Sequence, residues 1–386
     1  MFPRRFHIFM ETYLFFASHT GASGVLYDAK RRRFYTTTIS KLQARLTEFL
    51  LAQQFFFGVI RCVQTAKGSS FESNICAITT LALIMPITAH FSQTFQPHGT
   101  AELCNMMYHY AAQYRRNWVQ RYNERTTLTA DPLFYASILL CLGGMGYFYT
   151  GSFLAYFWAD LPIFWISMVP KTTPYYGMIF SCFLMYGSSG FYMIQGVIVV
   201  EVLNLMAFAA LMFPIHSTEL NAKLARGKHK TYPSFRTVSH FPMEYRKLEI
   251  LHSYAMAIWG IYVVPFQAFA LNFVLYANYV LIRNWDHLDF LMRCLVLLWT
   301  VSIQVFWYLV LHLAGRYYLF SQRNRGSWKF LGVRDAQEAK FMAKFKKSTR
   351  PLGIGQNGYF IIKPLSVVKF VKGVVRGTVR VLLTMR

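Results

Sequence analysis

Charge is scarce in this 386-residue chain: Asp, Glu, Lys and Arg make up 15% of it, and only 16 residues are acidic. A soluble domain carries about a quarter charged residues, so a fold exposed mainly to water is excluded. Cysteine is sparse too, six residues with no Cys-x-x-Cys pair, which rules out a disulfide scaffold and a thiolate metal site. Cys62 and Cys76 flank a short loop where a bridge is permitted, unpaired buried thiols being the alternative. Residues 2–16 mix apolar side chains with Arg4 and Arg5 and lack a small-residue cleavage site, so a retained N-terminus is expected. There is no Asn-x-Ser/Thr sequon, His-Glu-x-x-His, Gly-x-Ser-x-Gly elbow, Walker loop or dinucleotide fingerprint. Accordingly no catalytic residue, metal or cofactor is assigned, and no enzyme activity is expected.

Apolar residues are abundant, 55% of the chain with 36 Phe and 25 Tyr, and they gather in blocks of about 20. In hydrocarbon every backbone amide must be paired within its own segment, so each block has to be a helix. The fold class that follows is an all-α polytopic membrane bundle, with seven helices expected at 46–63, 75–96, 133–157, 176–213, 251–282, 289–314 and 358–383. Glu48 and Arg61, near the ends of the first, are expected to snorkel to the headgroups. Leu161–Val169, in the Pro-broken stretch between the third and fourth, is apolar enough to lie on the outer leaflet.

Basic residues set the orientation. Residues 1–45, 97–131, 214–250 and 315–357 hold 29 Lys and Arg, and the alternate loops with the C-terminus hold four. Basic flanks stay in the cytoplasm, which puts the N-terminus inside a plasma membrane and the C-terminus outside. The expected organisation is a cytoplasmic basic N-terminus (1–45), a six-helix membrane region (46–314) with cytoplasmic loops 97–131 and 214–250, a cytoplasmic loop and helix (315–357), and the last helix with the C-terminus (358–386). Lys30 to Arg33 reads as a topology determinant in contact with anionic lipid; no nucleic-acid partner is implied. Residues 334–349 should form a helix, with Phe341 and Phe345 one turn apart.

His90, His252 and His312 sit singly in three spans, where hydrogen bonding inside the bundle is the ordinary role, and the glycines of 143–146 read as helix-packing positions. Glu201 is the most informative buried charge, open to a role in ligand contact or ion passage, to a structural partner, or to a place at the inner interface. Tyr147, Tyr149, Phe153, Trp158, Phe183, Tyr186, Tyr192 and Trp299 come to similar depth in the outer halves of three spans. They are candidate ligand-binding residues, ordinary packing and interface-belt aromatics being the alternative.

Beyond the sixth block the order is a polar helix, then Ser348-Thr349-Arg350-Pro351-Leu352, a link through Gly353, Gly355 and Gly358, and a final apolar helix. This ending resembles that of the insect odorant and gustatory receptor superfamily, as a divergent arthropod branch. Of the gustatory C-terminal signature only Thr378 matches. The resemblance implies a chemosensory receptor, a small-molecule-gated cation channel working as a homo- or hetero-tetramer with related subunits. Arg350, Pro351 and Gly358 would form the hinge into a pore helix carrying Lys369, Lys372 and Arg376. Those residues and Arg380 fall within about 80° of one face at ~100° per residue. Four such charges conflict with a cation pore, and the alternatives are a helix lying on the inner leaflet, an anion-favouring or wide pore, or pairing with an acid such as Glu201. A G-protein-coupled receptor or a transporter without channel activity is the rival reading, opposed respectively by the charge bias and by the lack of an internal repeat.

Overall fold

The computed structural model describes residues 4–67, 70–119, 151–224, 229–356 and 359–384. The N-terminal segment is structured: helix α1 (Arg4–His19) leads into an antiparallel hairpin of β1 (Leu26–Asp28) and β2 (Arg33–Tyr35). Arg31 and Arg32 lie in its turn and Arg33 opens β2; Asp28 Oδ1 accepts the backbone N–H groups of Lys30 and Arg31 at 2.9 Å each.

Helix α2 (Thr38–Thr65) starts earlier than expected because Thr37 and Ser40 form a reciprocal capping box. Its outward face carries Leu42, Leu46, Phe49, Phe56, Ile60 and Val63, all exposed. A stripe that apolar is tolerated only where the surrounding solvent is also apolar. Helix α3 (Ser70–Phe95) returns against α2. Helix α4 (Pro97–Trp118) then occupies much of what was expected as a loop, opening on Pro97 at its first position and ending on Arg115 and Arg116. Thr100, Leu103, Cys104, Met107, Tyr110, Ala111 and Tyr114 are buried at helical spacing along one side of it.

A further helical stretch, α5, covers 151–157. Helix α6 (Tyr176–Pro214) closes on a π-helical turn, Ile215–Glu219. The single helix expected at 251–282 is two, α7 (Phe241–Trp259) and α8 (Val263–Arg283), joined by a 3-10 turn at Gly260–Tyr262. Helix α9 (Phe290–Ser327) continues well past residue 314. At 1.5 Å per residue α6 and α9 are each nearly 60 Å long, about twice the hydrocarbon thickness, so one end of the bundle projects beyond the bilayer. Among the described residues five helical stretches are long and apolar enough to cross a membrane: Thr38–Thr65, Phe71–Phe95, Tyr176–Glu219, Phe241–Arg283 and Phe290–Phe330.

The projecting end has its own core. Trp328, fully buried, stacks on Phe345 at 5.2 Å and meets Tyr245 edge-on at 4.8 Å, which docks α10 (Ala336–Ser348) onto α7 and α9. Phe341, one turn before Phe345, remains exposed. After α10 the chain forms a two-residue-per-strand hairpin, β3 (Gly355–Gln356) and β4 (Phe360–Ile361), so α11 (Leu365–Thr384) begins at Leu365 and not at 358. Gly260 allows the hairpin to approach, since a Cβ there would meet the Gly355 carbonyl oxygen at 2.8 Å.

Helix α11 lies along the bundle. Gly373 faces Leu271, Gly377 faces Leu275, and Asn278 donates to Thr378 Oγ1 at 3.1 Å, so α11 runs parallel to α8, with α9 also in contact. Val374, Val381 and Leu382 join the apolar core at the far end of α8 and the start of α9. Helix α11 thus packs lengthwise on α8 and α9, although it is not among the five apolar stretches named above.

Candidate functional site

In the half of the bundle away from the projecting end, a cavity of about 110 Å³ lies between α2, α3, α6 and the first turns of α9. It exists because the segment after α5 does not lie on the outer leaflet as expected but folds inward. Ile163, Phe164 and Ile166 are buried. Two side chains of α2 hold this strap: Gln54 Nε2 donates to the Ile163 carbonyl at 3.0 Å and Arg61 Nε to that of Pro162 at 3.2 Å. Arg61 thereby caps the strap with Nε, while its Nη1 donates to Gln64 Oε1 on the exposed side. Glu48 does not snorkel, because it is buried against His90 Nδ1 at 3.0 Å.

The strap delivers Phe164 and Trp165 edge-on to Phe183, at 5.3 and 5.5 Å between ring centres. Phe183, Tyr186 and Trp299 line the cavity, as the sequence reading proposed. Phe153 and Trp158 do not: Phe153 stacks on Phe157 at 4.1 Å, and Trp158 Nε1 donates to Asp289 Oδ2 at 2.9 Å. Tyr192 also lies off the wall, its neighbours Phe191 and Met193 contributing instead. Tyr147 and Tyr149, like Gly143, Gly144, Gly146 and Gly358, lie outside the described residues. Sequence reasoning missed Phe164, Trp165, Phe191 and the α2 positions Thr47 and Gln54. The available signal was the apolar run Leu161–Val169 itself, which fits a buried strap as well as an interfacial one.

The remaining marked residues are dispersed. His252 stacks on Tyr317 at 5.6 Å and His312 on Tyr308 at 6.1 Å, and no group of three potential ligands that could hold a metal occurs among the described residues. Cys62 and Cys76 are free thiols. At the hinge, α10 stops at Ser348, Arg246 donates to Ser348 Oγ at 2.6 Å, and Tyr245 donates to the Arg350 carbonyl at 3.4 Å, just before Pro351. On α11, Lys369, Lys372, Arg376 and Arg380 are all exposed, and none is ion-paired among the described residues. Pairing with Glu201 is thereby excluded; its Oε1 accepts from Ser92 Oγ at 3.0 Å and Gln93 Nε2 at 2.9 Å.

The fold is that of a polytopic all-α membrane protein, and the cavity in it is walled largely by aromatic and aliphatic side chains. No family model matches the sequence, and no curated protein matches it. Solved structures do match. The chain has the fold of the insect olfactory receptor OR5 from Machilis hrabei, with a TM-score of 0.65 at 8% identity over 98% of this chain and 100% of that one. The same receptor in complex with eugenol gives 0.63 at 10% identity with the same coverage. The architecture implied by the chain's ending is the architecture found.

Proposed function

We propose that the chain is a chemosensory receptor of the insect odorant and gustatory receptor superfamily, a subunit of a small-molecule-gated ion channel. The observation that carries this is the coincidence of a full-length fold match with an aromatic-walled cavity. The ligand class is a small apolar volatile or tastant with an aromatic ring, a description that eugenol, bound by the Machilis receptor, also meets. Phe183, Trp165, Tyr186 and Trp299 supply ring faces and edges, and Thr47 and Gln54 the polar contacts. The channel is a homo- or hetero-tetramer in the plasma membrane. Its N-terminus, the loops 97–131 and 214–250 and the 315–357 region are cytoplasmic, with basic segments against anionic lipid, and α11 lines the conduction path.

Expression alone and with a co-receptor of the superfamily, with currents recorded during odorant and tastant application, tests the activity. Ligand-evoked current is expected; its absence in both configurations sinks the channel reading. Surface staining of an N-terminal tag on intact cells would overturn the orientation and leave a G-protein-coupled receptor as the better reading.

A further inference from the structure

Glu201 stands in a second cavity that shares no residue with the first. It encloses about 170 Å³ between α3, α6, the α7–α8 junction and α9. Ile354 and Ile362, flanking the hairpin that leads into α11, close one side. The wall is almost wholly apolar, and six rings line it: Phe208, Trp259, Tyr262, Phe266, Phe306 and Trp307.

The carboxylate is the exception. Its hydrogen-bond partners are the neutral side chains of Ser92 and Gln93, both on Oε1, and of Asn204, and they bring no positive charge. His90, the nearby titratable base, is committed to Glu48 at 3.0 Å. No cationic side chain lies within ion-pair distance of Glu201 among the described residues. A carboxylate in apolar surroundings without a counter-ion is costly, and a ring of aromatic faces attracts a cation. The two features call for the same occupant.

We propose that this cavity binds an apolar amine in its protonated form, the ammonium group against Glu201 and the hydrocarbon body among Trp259, Phe266 and Trp307. A dry cavity of ~150 Å³ accepts benzene, so a phenyl-bearing amine fits the volume. The salt bridge and cation–π contacts select the amine over a neutral molecule of the same shape. Through Ile354 and Ile362 the occupant also touches the segment that sets the entry of α11.

The test uses the full-length protein in lipid nanodiscs at neutral pH, with 2-phenylethylamine and its near-isostere 2-phenylethanol as probes and binding read by calorimetry and by thermal unfolding. The amine is expected to bind at least tenfold tighter than the alcohol and to raise the unfolding temperature. Glu201→Gln should abolish that preference, since the amide keeps the hydrogen bonds of Ser92 and Gln93 but not the charge. Leu205→Trp, which fills the cavity from α6 and leaves Glu201 in place, should abolish amine binding. Equal affinity for the two probes, a preference that survives Glu201→Gln, or wild-type amine binding in Leu205→Trp overturns the proposal. Binding is read without current, so failure here is distinguishable from failure of the channel reading.

Discussion

Truncation of Phe183 separates a ligand-binding wall from ordinary packing. The ring is 1% exposed and meets Phe164 and Trp165 nearly perpendicular, at 5.3 and 5.5 Å. In a bilayer the ring gains from packing and not from leaving water, and each of its two edge-to-face pairs contributes ~0.5–1.5 kcal/mol. Phe183→Ala loses both pairs and leaves a void besides, so it should cost about 3–5 kcal/mol, the range found for such truncations in other cores. Phe183→Leu keeps most of the buried volume and loses the ring pairs, so it should cost about 1–2 kcal/mol. If the cavity is the ligand site, both variants lose a ring face for the ligand, and potency toward aromatic ligands should fall on the order of tenfold, equivalent to ~1.4 kcal/mol. The alanine variant, with a larger cavity, should also gain responses to bulkier ligands. Thermal unfolding of the purified protein measures the first effect, and concentration–response curves for evoked current measure the second. Reduced stability with unchanged potency and tuning in both variants would show that Phe183 only packs, and the ligand site would have to be sought elsewhere.

Three other outcomes follow from the same geometry. Gly355→Ala should dismantle the hairpin before α11, because Gly355 has φ of 132° and an added Cβ would lie 2.2 Å from the Phe360 carbonyl oxygen; loss of tetramer or of current at normal expression is expected, and wild-type behaviour refutes it. Glu219→Gln should destabilise the projecting end by roughly 3–5 kcal/mol, since the buried carboxylate accepts from Lys230 N, Thr231 N and Thr231 Oγ1 and pairs with Arg236 at 3.5 Å; hydrogen exchange at residues 229–240 would rise first, and unchanged protection there refutes it. Neutralising Lys372 and Arg376 together to Gln should raise cation permeability relative to chloride, read as a shift in reversal potential on salt dilution; an unshifted potential would take these residues off the conduction path.

The spanning helices were legible because a bilayer enforces length and composition at once, so α6 and the apolar part of α9 stood close to their expected places. The elements outside the bilayer were less legible, because what folds them is capping and tertiary burial. Helix α4 looked like a loop since its mean composition is polar, and only the spacing of Thr100, Leu103, Met107, Tyr110 and Tyr114 betrays its buried side. The cavity was half legible. Depth along a span can be counted from sequence, which found Phe183, Tyr186 and Trp299, but rotation about the helix axis cannot. That is why Tyr192 was chosen where Phe191 lines the wall. The inward strap depends on hydrogen bonds from Gln54 and Arg61 to carbonyls more than a hundred positions away, which no local pattern encodes.

Helix α11 shows how a charge pattern that is ambiguous in sequence becomes constrained by packing. As an isolated amphipathic helix it has two faces and could lie on a leaflet. In the bundle it has three. Phe370, Val374, Thr378 and Val381 turn toward α8 and α9. Val368, Val371, Val375 and Val379 form an exposed apolar strip. Lys369, Lys372, Arg376 and Arg380 form an exposed basic strip beside it. The valine strip needs hydrocarbon or another protein surface, whereas the basic strip needs water or anions, because burying each charge in lipid costs several kcal/mol. Two such strips side by side at bilayer depth require an apolar covering to end where water begins. A ring of identical or related subunits, each covering its neighbour's valines and leaving the basic strips on a central aqueous path, meets both requirements. On the channel reading proposed above, the positive potential of such a path favours anions over the cations that the resemblance implies.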